Sequence, residues 1–140
     1  MSMEMNLSSI DPDEASGEIK ELYERVEELT GRVAPVWRVL AHDPGYMKIA
    51  LQKFERLFGE TTLDLKTKLF VYLAVSIVQS CPTCVYGFTT HLKKLGVTDE
   101  EFVELYSIID VASGMNRVVN GAGITPEILK SAIEEAGEKR

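Results

Sequence analysis

Apolar residues recur at three- and four-residue steps along most of the chain. Ile19, Leu22, Tyr23, Val26 and Leu29 form one stripe, with charged residues filling most positions between them. Met47, Ala50, Phe54, Leu57 and Phe58 form a second, and Ile128, Leu129, Ala132 and Ala136 a third. The prolines punctuate these stripes. Proline suits the first position of a helix, where its missing N–H leaves no partner wanting. Asp11-Pro12, Asp43-Pro44 and Thr125-Pro126 place a capping residue before it, and Glu14 follows Asp11 in a capping-box pattern. Ala34-Pro35 and Cys81-Pro82 mark two more starts; Asp64, and Thr98 with Glu101, mark the rest. Gly31, Gly59, Gly96, Gly121 and Gly123 fall near the expected ends. The pattern predicts about seven helices, over 11–30, 35–42, 44–58, 64–80, 82–95, 98–120 and 126–136. No segment alternates like a strand, so the expected fold is all-α.

The helix expected over 64–80 is apolar around most of its circumference, from residue 69 to residue 78. Such a helix needs cover on every side, which a homo-oligomer supplies more easily than one subunit. The stretch is about half of the roughly 20 residues that span a bilayer, so no transmembrane segment is expected. Residues 1–10 carry neither the basic nor the apolar region of a leader, and two cysteines make no secreted disulfide scaffold, so a reducing cytoplasm is the expected address. Residues 1–140 read as one domain, since 140 residues with 45% apolar content can bury an ordinary core. A net charge of −7 argues against nucleic-acid and anionic-membrane partners, which call for clustered Lys and Arg.

Cys81-Pro82-Thr83-Cys84 is the motif that carries chemistry. Cys81 is expected as the helix N-cap, with Cys84 one turn on along the same face. Free N–H groups and the positive dipole end favour a thiolate there, and two thiols so placed can close and reopen a disulfide. On this ground Cys81 reads as the more exposed and more acidic thiol. Three other readings stand beside redox use. A structural disulfide over so short a loop adds only about 2 kcal/mol in the chain-entropy model. Zinc takes four ligands, and His91 lies two helical turns from Cys84, roughly 10.5 Å along the axis. Two inert buried thiols are the third. No metal, flavin or haem is called for by the sequence.

Around the motif, Cys81, Cys84, Phe88, His91 and Leu95 share one helix face. Phe88 fills the turn between the cysteines and His91, so His91 meets Cys84 only through water or a second subunit. On the preceding helix Leu69, Tyr72, Ser76 and Gln79 form a face, and Tyr72 is a candidate proton donor to a thiolate or a leaving alkoxide; a buried structural tyrosine is the plainer reading. Asp110, Ser113 and Arg117, with Asn116 and Asn120 beside them, make a polar stripe. It is either a solvated face or an entrance in which Arg117 and Asn116 line the pocket. His42 reads as a turn residue.

The run over residues 64–96, DLKTKLFVYLAVSIVQSCPTCVYGFTTHLKKLG, resembles the core of the carboxymuconolactone decarboxylase and alkylhydroperoxidase D superfamily. LAHDPGYM upstream and MNRVVNG downstream are similar to its small peroxidase-related members. The resemblance implies an all-α fold, a trimer or hexamer, and a thiol-based antioxidant or disulfide-reducing activity fed by a thioredoxin- or lipoyl-type donor. The decarboxylase branch generally lacks both cysteines. In the peroxidase members a glutamate and a histidine form a proton relay, at positions held here by Leu69 and Phe88. Carried over, Cys84 attacks the peroxide and Cys81 resolves it, while the relay has no counterpart. His91 stands one turn beyond the family histidine. Acid–base assistance contributes typically 10²–10⁴-fold, so a disulfide reductase, or a silent oligomeric scaffold, is an open alternative to the peroxidase.

Overall fold

The structure is a computed structural model that describes residues 5–138, so the first four positions of the leader reading lie outside it. Among the described residues the chain forms seven α-helices and no strand. They are α1 (Gly17–Thr30), α2 (Pro35–Leu40), α3 (Pro44–Phe58), α4 (Leu65–Val78), α5 (Pro82–Lys94), α6 (Asp99–Gly121) and α7 (Pro126–Glu138). The all-α expectation holds, and every proline-marked start but the first opens an α-helix.

That first start is a correction. Asp11 and Pro12 open a short 3-10 turn, Pro12–Glu14, and α1 begins only at Gly17. The Asp11 carboxylate accepts from the Asp13 N–H at 2.9 Å, and no reciprocal box with Glu14 forms. Ala15 and Ser16 are extended, and Gly17 takes φ +56°. Tertiary bonds hold the incoming segment instead: the Tyr23 hydroxyl donates to the Ile10 carbonyl at 2.8 Å, and the Ile10 N–H to the Arg38 carbonyl at 3.1 Å. His42 does more than make a turn, because its Nε2–H donates to the Ser8 carbonyl at 3.0 Å.

The later caps are local, as expected. Asp43 accepts from the Tyr46 N–H at 3.0 Å above Pro44. Asp64 accepts from both the N–H and the hydroxyl of Thr67, at 3.0 and 2.7 Å. These bonds hold its carboxyl below the ordinary Asp value. Thr98 and Glu101 close a full capping box.

The chain divides into two compact units, one reaching to Lys68 and the other beginning at Leu69. In the first, α3 packs on α1 and α2. Leu22, Tyr23, Val26, Val33, Trp37, Ala41, Met47 and Leu51 make its core. Trp37 meets Phe54 edge-on, with ring centroids 5.2 Å apart. Arg25 and Glu55 bridge α1 and α3 through a charge-assisted pair at 2.5 Å. In the second unit Leu69, Leu73, Ser76, Phe88, Leu92, Val97 and Phe102 are buried.

Not all apolar surface is covered within the chain. On α4, Leu69, Leu73 and Ser76 are buried, while Val71, Val75 and Val78 on another face are 57, 55 and 62% exposed. Ile108, Val111, Met115 and Val118 on α6, and Ile128, Leu129 and Ile133 on α7, are exposed as well. No helix of the described residues is long and apolar enough to cross a membrane.

Candidate functional site

The cysteine pair lies where α4 gives way to α5. Cys81 is the N-cap of α5, Pro82 its first residue, and Cys84 sits in its first turn. The two are joined as a disulfide, with Cα atoms 5.4 Å apart. The Sγ of Cys81 accepts from the Cys84 N–H at 3.4 Å, and its carbonyl accepts from Val85 at 3.0 Å. A sulfur so placed faces the donor end of the helix, which stabilises a thiolate more than a neutral thiol. Both cysteines are half-buried. Of the two, Cys81 holds the N-cap position.

One junction residue gave no signal in the sequence. Helix α4 stops at Val78, two residues short of the expected 80, and Ser80 takes φ +56°. The Ser80 N–H donates to the Ile77 carbonyl at 3.1 Å, and the Cys81 N–H to the Ser76 carbonyl at 3.0 Å. This is the Schellman pair of bonds, with serine in the left-handed position that glycine usually holds. The absence of a glycine hid it.

Tyr72 lies against Phe88, ring centroids 3.7 Å apart and planes 21° from parallel. Desolvation pushes the Tyr72 phenol above its ordinary value, so it stays protonated at neutral pH. His91 follows, its ring 6.2 Å from that of Phe88. Phe88 thus stands beside both candidate proton donors. The Ser76 hydroxyl is spent on the Tyr72 carbonyl at 2.9 Å, within α4. Leu69 is 1% and Phe88 8% exposed, so the two relay positions are occupied by buried apolar side chains. No charged residue stands between Lys68 and His91. Arg117 and Asn116 lie on the exposed second half of α6.

The family model described as the carboxymuconolactone decarboxylase family matches residues 44–127, more than half of the chain. The chain belongs to that family. The matched segment carries both cysteines, Leu69, Tyr72, Phe88, His91, Asn116 and Arg117. A solved structure described as the alkylhydroperoxidase AhpD core from Rhodospirillum rubrum is also similar. It is 31% identical, aligns over 77% of this chain and 82% of its own, and superposes with a TM-score of 0.72. No curated protein matches the chain. Within the carboxymuconolactone decarboxylase family the fold is therefore AhpD-like, and the disulfide pair at the start of α5 is compatible with redox chemistry.

Proposed function

We propose that this protein is a thiol-dependent oxidoreductase whose Cys81/Cys84 pair cycles between dithiol and disulfide. The observation that carries the reading is the disulfide itself, placed at the N-terminus of α5. With a hydroperoxide, one thiolate attacks the terminal peroxide oxygen and the O–O bond breaks. The alkoxide leaves and takes a proton, giving the alcohol and a sulfenic acid. The second thiol attacks that sulfur, water departs, and the disulfide forms. Two electrons from a thioredoxin- or lipoyl-type dithiol then regenerate the pair, and the donor leaves as its own disulfide.

A second reading is favoured by Leu69 and Phe88. A leaving alkoxide needs a positioned acid, whereas a leaving thiolate needs far less help. Buried apolar side chains at both relay positions therefore favour a disulfide, on a carrier or a small molecule, as the oxidised substrate. Tyr72 and His91 are the proton donors proposed for the peroxide route, with Arg117 and Asn116 at the entrance. Catalysis takes place in a trimer or hexamer of this chain, whose contacts would cover the valine face of α4 and the apolar faces of α6 and α7. A silent scaffold is the outcome if neither substrate turns over.

Steady-state oxidation of a dithiol donor by cumene hydroperoxide and by lipoamide tests the proposal. Turnover with either one, abolished in both Cys81→Ser and Cys84→Ser, supports it. Wild-type protein inactive with both would sink it.

A further inference from the structure

The α4–α5 junction fixes the backbone of Cys81 on both sides. Its N–H is committed to the Ser76 carbonyl and its own carbonyl to the Val85 N–H, each at 3.0 Å. Only the side-chain torsion is left to aim the sulfur. The first of those bonds exists because the chain reverses at Ser80, the one described residue other than glycine with positive φ. We infer that Ser80 is a positioning residue for the dithiol: its left-handed backbone completes the Schellman closure of α4 and so seats Cys81 as the N-cap of α5. The inference rests on the dithiol reading above.

The Ser80 φ of +56° lies in the left-handed region, which glycine enters freely and which is an outlier for a β-branched residue. Ser80 is exposed, so a side chain added there meets no packing demand. A substitution at Ser80 thus acts through φ. Valine drives the residue towards negative φ, which turns the Cys81 N–H away from Ser76 and tilts the cysteine out of the cap. The Cys84 N–H that reaches the Cys81 sulfur at 3.4 Å is then lost. That donor matters more to a thiolate than to a disulfide sulfur, because hydrogen bonds to charged acceptors are the stronger ones.

The test uses the whole chain with Ser80→Gly, Ser80→Thr and Ser80→Val. Folded protein is verified by circular dichroism, and iodoacetamide alkylation at Cys81 and Cys84 is mapped by mass spectrometry from pH 5 to 9. In Ser80→Val, Cys81 alkylation at pH 7 falls on the order of tenfold while its pH midpoint rises towards that of an ordinary cysteine. The equilibrium with glutathione moves on the order of tenfold towards the disulfide, about 30 mV at 29.6 mV per decade. Ser80→Gly keeps the wild-type profile within about twofold and is at least as heat-stable. A merely structural role would lower the stability of Ser80→Val and leave the Cys81 profile in place. A folded Ser80→Val with an unchanged profile overturns the inference. If that variant does not fold, Ser80→Thr, β-branched but polar, decides: the same shift, several-fold, upholds the inference, and no shift overturns it. Failure of the dithiol reading shows separately, as a wild-type pair that never equilibrates with glutathione.

Discussion

Installing a proton relay tests what the apolar relay positions mean for the chemistry. The perturbation is the double change Leu69→Glu and Phe88→His. Leu69 is 1% exposed and Phe88 8%, so both new groups enter the interior. A buried carboxylate without a good partner costs a few kcal/mol. Losing the Tyr72–Phe88 stack removes about 0.5–1.5 kcal/mol more. A net loss of about 3 kcal/mol is a large share of the 5–15 kcal/mol typical of a domain. It lowers Tm by about 10 °C, so the assay is run at 15–20 °C on protein verified as folded. Against that, acid–base assistance contributes on the order of 10²–10⁴-fold when well positioned. A first-generation relay should recover about tenfold or more in cumene hydroperoxide turnover. Alkylation by iodoacetamide, which needs no proton at a leaving alkoxide, should rise far less. A folded double variant with no gain refutes the reasoning, because proton delivery is then not what limits the wild-type protein.

The remaining predictions concern assembly, thiol roles and pH. Sedimentation at micromolar concentration should show a species larger than the 15.6 kDa chain, and Val75→Asp on the exposed α4 face should shrink it; a stable monomer contradicts this. Below pH 8, Cys81 of the reduced protein should alkylate before Cys84, and the opposite order would give Cys84 the attacking role. Burial raises the phenols of Tyr23 and Tyr72, so the stability each contributes is present below the ordinary value of 10.0 and is lost as pH rises through the higher folded value. Alkaline melting of Tyr72→Phe should accordingly show a shallower fall above pH 10 than wild type, and an identical slope counts against it. Asp64 has the opposite sign: its contribution is present above the ordinary value of 3.8 and fades as pH drops through the lower folded value. Asp64→Asn, which still caps α4, should flatten acid melting in that window, whereas an unaltered melting profile would contradict the link.

The parts of the fold that rest on local chemistry are legible in the sequence. Pro44, Pro82 and Pro126 open helices because each satisfies its first turn without outside help, and Thr98 with Glu101 closes a box within four residues. The break before α1 was not readable. Asp11 carries the same cap-then-proline signal, but its turn ends at Glu14, and the segment before it is held at Ile10 by Tyr23 and Arg38, residues distant in sequence. Within the site, the place of Cys81 at the helix cap was legible from Cys81-Pro82 alone. The partner of Tyr72 was not, because spacing assigns a face of α4 without saying which ring of α5 meets it. Ser80 escaped for another reason: a left-handed serine has no sequence signature, and only the two junction hydrogen bonds reveal it.

The central claim is that Cys81 and Cys84 exchange two electrons with a substrate. Its most direct test is a single turnover: fully reduced protein, freed of reductant, is mixed with one equivalent of cumene hydroperoxide or of lipoamide and followed by intact mass and peptide mapping. The account predicts loss of two hydrogens, a bond between Cys81 and Cys84, and one equivalent of cumyl alcohol or dihydrolipoamide. Reduced thiols that survive both oxidants, or oxidation that stops at a single cysteine without the bond, would contradict it.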